Sequence, residues 1–69
     1  MKLSARNQLN ARVTGTTAGP ATTVVHLDLG GQALVASITT EAAQELGLAE
    51  GTEVVAVIKA SDVMVATRD

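Results

Sequence analysis

The stretch Ala33-Leu34-Val35-Ala36-Ser37-Ile38-Thr39-Thr40-Glu41-Ala42-Ala43-Gln44-Glu45-Leu46-Gly47-Leu48 changes its apolar period halfway along, and that change decides the fold. Residues 33–38 are apolar on both faces of an extended chain, the pattern of a strand covered on two sides. In a chain this small the second cover is expected from a neighbouring subunit. From Thr39 the pattern becomes helical. A threonine can cap the start, Glu41 complements the positive end of the helix dipole, and Ala42, Ala43 and Leu46 form one apolar stripe. Gly47 ends the helix, and Leu48 is placed for the hydrophobic contact of a Schellman-type stop.

Towards the N-terminus, residues 3–14 alternate. Leu3, Ala5, Leu9, Ala11 and Val13 share one face, and Ser4, Arg6, Gln8, Asn10, Arg12 and Thr14 the other, which predicts a strand. Residues 15–20 are expected to break it, with Gly19-Pro20 as the punctuator. Alternation resumes over residues 21–29, and Gly30-Gly31 supplies the positive φ angles of a tight hairpin into the strand at residues 32–38. After the helix, a turn at Glu50-Gly51 leads to two further predicted strands, residues 52–59 and 63–67. Five strands with one short helix between the third and fourth is the element order of an OB-fold-like barrel.

At 69 residues this reads as a single domain, 1–69, with room for one core. Such a chain buries only about 60% of its unfolded surface on folding. No cysteine is present and His26 is the sole histidine, so neither disulfides nor a structural zinc can reinforce it. Oligomerisation is the remaining source of stability. His26, on the polar face of its strand, reads as a surface residue.

The net charge of −2 argues against a nucleic-acid partner, which asks for a cationic excess. An OB-fold that binds single strands also wants aromatic stacking platforms, and aromatic content is 0%. The first nine residues are too polar for a secretory signal and no apolar run approaches the ~18 residues of a membrane span, so the expected location is the cytoplasm. An enzyme is the weakest reading, since no nucleophile and base pair is evident.

Two polar clusters stand out against the apolar background: Ser4-Ala5-Arg6-Asn7 and Lys59-Ala60-Ser61. Each sets a cation beside small hydroxyl or amide donors, which suits an oxyanion. Thr39 adds a hydroxyl where a helix begins, and a cap stands where an anion can bind. Read blandly, Arg6 and Lys59 are solvated strand-end cations, Thr39 is a cap, and Ser61 is a turn residue.

Several motifs in order carry a family resemblance over essentially the whole chain: Met1-Lys2-Leu3-Ser4-Ala5-Arg6-Asn7-Gln8-Leu9, Ala36-Ser37-Ile38-Thr39, Leu46-Gly47-Leu48 with Gly51, and Val57-Ile58-Lys59-Ala60-Ser61-Asp62-Val63-Met64. The chain resembles the molbindins, the small Mop-type molybdate-binding proteins of the TOBE/Mop domain family. That resemblance implies a hexamer, a trimer of dimers with exchanged N-terminal strands, that stores or buffers molybdate and tungstate at subunit interfaces. It implies that Ser4, the Ala5 backbone and Arg6 of one subunit meet Thr39 and Lys59 of another around the anion, with Ser61 as a further candidate ligand. Related domains often carry a serine three positions after that threonine. Here the place is Ala42, so the helix-start N–H groups or Thr40 are expected to replace the hydroxyl.

A swapped-hairpin DNA-binding transcription regulator of the AbrB type is the rival reading. Leu46-Gly47-Leu48-Ala49-Glu50-Gly51-Thr52-Glu53-Val54 resembles the dimerisation segment of such proteins, which leaves residues 4–9 and 59–64 unexplained.

Overall fold

One long strand, β1 (Asn7–Ala18), organises the molecule. The computed structural model describes residues 2–69, so Met1 of the first motif lies outside the described residues. β1 pairs antiparallel on one side with β4 (Glu53–Ile58) through residues 7–12, and on the other with β2 (Thr22–Asp28) through residues 12–18. β3 (Ala33–Thr39) pairs antiparallel with β2, giving the order β3-β2-β1-β4. The helix α1 (Thr40–Glu45) falls between β3 and β4, where the sequence places it.

The punctuation is built as its residues dictate. Leu29 N–H donates to the Gln32 carbonyl at 2.7 Å across Gly30 and Gly31, whose φ angles of 77° and 103° make a two-residue type I′ hairpin. Gly47 has φ 63°, its N–H reaches the Gln44 carbonyl at 3.1 Å, and Leu48 N–H reaches the Ala43 carbonyl at 3.2 Å, the two bonds of a Schellman stop. Leu48 then packs on the core of Ala11, Val13, Val25, Leu27 and Ala56. Of the expected helix stripe, Ala43 is buried but Leu46 is 66% exposed.

The structure corrects the strand boundaries. Residues 3–6 carry no ladder, because β4 ends at Ile58, opposite Asn7. At the other end, β1 runs through Gly15 to Ala18 rather than breaking there. The register jumps from Val13–Leu27 to Gly15–His26, so Thr14 is an extra residue in a β-bulge, and its hydroxyl donates to the His26 carbonyl at 3.2 Å. The bulge also switches the parity of the strand: Val13 faces inward opposite Leu27, whereas beyond it Thr16 stands opposite Val25 and Ala18 opposite Thr23. A polar stretch that reads as a loop in a strict two-residue period is therefore strand after a one-residue slip.

The fifth strand is absent among the described residues. After Ile58 the chain makes a 3-10 turn at Ala60–Asp62 and continues through residues 63–67 without a ladder partner. Met64 and Val65 are 94% and 92% exposed. Strand-forming residues need an edge to pair with, and no edge of this chain receives them. The edge strands β3 and β4 do not pair with each other, so the curled sheet keeps a seam. An apolar groove of about 540 Å³ fills it, lined by residues that include Leu34, Ile38, Val55, Ile58 and Val63.

Candidate oxyanion site

The register brings the two polar clusters of the sequence to one end of the sheet. Asn7 stands opposite Ile58, and its side-chain amide donates to the Ile58 carbonyl at 3.2 Å. Arg6 immediately precedes β1 and Lys59 immediately follows β4, and both are exposed. Opposite residues in antiparallel strands lie only about 5 Å apart at Cα, so the segments that carry Arg6 and Lys59 leave the sheet side by side from the Asn7–Ile58 pair. Ser4 lies two residues before Arg6, with Ala5 half-buried between them. Lys59 enters the 3-10 turn with its carbonyl accepting from Asp62 N–H at 2.9 Å, which leaves Ser61 exposed in the turn beside it.

Asp62 is a residue that the motif reading passes over. It puts a carboxylate in the turn that follows Lys59. Lys59 and Asp62 stand three apart in sequence, and such proximity in a turn is a signal that the sequence does carry.

Thr39 belongs to another part of the molecule. It ends β3, the opposite edge strand, and pairs with Thr22, next to the Thr23–Ala18 pair that closes the far end of β1. Within one chain Thr39 therefore lies on the sheet edge opposite the one that leads to Lys59. Thr39 is the N-cap of α1, and its hydroxyl oxygen accepts from Ala42 N–H at 3.1 Å. Its own proton is left to donate. The expectation that Thr40 replaces the missing serine hydroxyl does not hold. Thr40 Oγ1 donates its single proton to the Gly19 carbonyl at 2.7 Å, its backbone N–H donates to Ala21, and the Ala42 N–H is taken by Thr39.

The third cluster with charge, at Arg12, is of a different kind. Arg12 stands opposite Asp28 on one side and Glu53 on the other, so two carboxylate-bearing residues flank it on the ladder. Among the described residues there is no group of three metal-ligating side chains, and no helix is long and apolar enough to cross a membrane.

A four-stranded sheet curled on one bulged strand, with one short helix between its third and fourth strands, is a small β module. The TOBE domain model matches residues 3–65. "Molybdenum-pterin-binding protein 1" of Clostridium pasteurianum is 44% identical over 66 residues, covering 94% of this chain and 97% of that protein. Among solved structures, a molybdate binding protein from Sporomusa ovata superposes with TM-score 0.92 at 36% identity, covering 97% of this chain and all of that one. MopII from Clostridium pasteurianum superposes with TM-score 0.88 at 40% identity, over 96% of this chain and 100% of that one. The chain belongs to the TOBE domain family, in its Mop-type, molbindin branch. The segment resembling a swapped hairpin is the helix stop and the turn into β4, and the DNA-binding reading is not favoured.

Proposed function

We propose that this chain is a single oxyanion-binding domain, residues 1–69, that binds molybdate, and tungstate with it, at interfaces between copies of itself. The observation that supports the reading is the Asn7–Ile58 pair, from which the chain before β1, carrying Ser4, Ala5 and Arg6, and the chain after β4, carrying Lys59 and Ser61, both leave one end of the sheet. Molybdate is a tetrahedral dianion at neutral pH that accepts at four oxygens and donates nothing. It needs donors alone and about two positive charges, because burying it unpaired would cost many kcal/mol. Arg6 and Lys59 supply the charges. The Ser4 hydroxyl, the Ala5 N–H, the Thr39 hydroxyl and the Ser61 hydroxyl supply further donors.

Thr39, on the opposite sheet edge, joins this cluster from a neighbouring copy. Support for assembly comes from the open seam and from the exposed Val35, Val55 and Val57, at 59%, 46% and 43%, on the two edge strands, whose outer edges have no partner within the chain. The assembly is a hexamer, a trimer of dimers whose exchanged N-terminal strands keep the Asn7–Ile58 register between copies, so that Arg6 of one subunit meets Lys59 of another, in the cytoplasm, with no nucleic-acid or membrane partner. The names of several relatives include pterin, but a chain with no Phe, Tyr or Trp lacks the usual platforms for stacking on a pterin, and its donor set fits the bare oxyanion. Sequestration needs no general base or nucleophile, so the protein stores or buffers its cargo and is not an enzyme.

Calorimetric titration with molybdate, tungstate, sulfate and phosphate tests the reading. Tight, saturable binding of the first two is expected. No heat with molybdate, or equal affinity for all four anions, would overturn it.

A further inference from the structure

Thr40 is the most heavily anchored polar residue near Thr39, and nothing in the anion chemistry above uses it. Its N–H donates to the Ala21 carbonyl at 2.9 Å and its hydroxyl to the Gly19 carbonyl at 2.7 Å. Thr23 Oγ1 lies 2.9 Å from Thr40 Oγ1. Thr40 has spent its only hydroxyl proton on a carbonyl that can only accept, so Thr23 is the donor between the two hydroxyls. The order is fixed: Thr23 to Thr40 to Gly19. Thr23 is only 3% exposed, so this bond is shielded from water.

The acceptor end is equally constrained. Gly19 N–H reaches the Thr22 carbonyl at 2.8 Å, and a Cβ on Gly19 would come within 2.8 Å of the same oxygen. The turn from β1 to β2 is thus closed on itself, and Thr40 is tied to it twice. Thr39, one residue earlier, is fixed by its ladder position opposite Thr22 and by the Ala42 N–H on its hydroxyl oxygen.

We propose that Thr40, backed by Thr23, is a positioning residue that sets oxyanion selectivity by holding the Thr39 hydroxyl still. The inference rests on the reading of Thr39 as an anion ligand. Thr40 does not touch the anion. Sulfate and molybdate carry the same charge and the same absence of protons, so hydrogen-bond type cannot separate them and only size can. A donor that can move inward closes on the smaller anion, whereas a donor on a backbone tied to a tight turn cannot. A hydroxyl chain spent entirely on protein acceptors supplies that restraint without adding a competing donor to the site.

The test is the ratio of sulfate to molybdate dissociation constants, measured by calorimetry on assemblies of verified mass, for Thr40→Val, Thr40→Ser, Thr23→Val and Thr39→Val. Thr40→Val is expected to lower the ratio by about fivefold or more, Thr40→Ser to restore it to within about twofold, and Thr23→Val to fall between. A merely structural role would lower thermal stability and leave the ratio where it was. An unchanged ratio in Thr40→Val, or a serine variant that behaves like the valine one, overturns the proposal. Should Thr40→Val fail to fold, Thr23→Val decides, and an unchanged ratio there is equally fatal. Thr39→Val separates the two levels. Undiminished molybdate binding in it refutes Thr39 as a ligand, whereas weakened binding with an unchanged ratio in Thr40→Val refutes the positioning role alone.

Discussion

Removing either cation of the strand-end pair should weaken molybdate binding without harming the fold. Arg6 and Lys59 are both exposed and each lies one residue beyond the Asn7–Ile58 pair, so neither contributes to the core of Ala11, Val13, Val25, Leu27 and Ala56. Truncation of such residues changes folding stability by about 0.5 kcal/mol or less. The loss on binding is larger. A hydrogen bond to a charged group contributes about 1.5–3 kcal/mol, and 1.4 kcal/mol is tenfold in affinity, so Arg6→Ala or Lys59→Ala should raise the molybdate dissociation constant by roughly 10- to 150-fold. Arg12→Ala is the matched control. It removes the same charge from within β1, at a ladder position flanked by Asp28 and Glu53 and away from the Asn7–Ile58 end. Its effect on affinity should stay within about twofold. Isothermal titration of the three variants, with assembly mass checked for each, reads the outcome. Unchanged affinity in Arg6→Ala or Lys59→Ala, or an Arg12→Ala loss as large as theirs, would show that net charge or another site governs binding.

Other outcomes follow from the same geometry. Ser61→Ala should cost less than Arg6→Ala, about threefold in affinity, since a neutral hydroxyl bond contributes about half of a charge-assisted one; an equal loss would reverse the ranking of ligands. Asp62→Asn should tighten molybdate binding by about twofold in low-salt titration, because it removes the one carboxylate in the turn after Lys59, and the gain should vanish at high salt. Val13, at 1% exposure, is the most deeply buried side chain, and Val13→Ala should cost about 2 kcal/mol, visible as a lower thermal midpoint with the anion affinity of the folded protein retained. Hydrogen phosphate carries a proton that a donor-only cage leaves unpaired, at about 1–3 kcal/mol, so competition titration should show it displacing molybdate poorly.

What was legible in the sequence was whatever rests on local chemistry. Gly30-Gly31 declared the hairpin, Gly47-Leu48 the Schellman stop and Thr39 the cap, because positive φ and free helix N–H groups restrict the residues that can serve. The bulge at Thr14 was hidden, since a strict period of two has no place for an extra residue, and the polar Thr16-Thr17 after it looks like loop. The fifth strand failed for a different reason. Residues 63–67 have strand composition, but a strand exists only with a partner edge, and one chain supplies none to it. The polar clusters were visible as cations beside small donors, and the Asn7–Ile58 register brings their two segments to one end of the sheet. The role of Thr40 was not visible. Of two adjacent threonines at a strand-to-helix junction only one can cap, and the fate of the other is settled by Gly19, twenty-one residues away along the chain.

The central claim is that the anion is held between copies of this chain, and native mass spectrometry across a molybdate titration tests it most directly. The account predicts a hexamer whose mass grows in molybdate increments to saturation, with Arg6→Ala assembling as a hexamer that takes up little anion at the same concentration. A monomer that binds molybdate as tightly as the assembly, or a hexamer that takes up none, would contradict it.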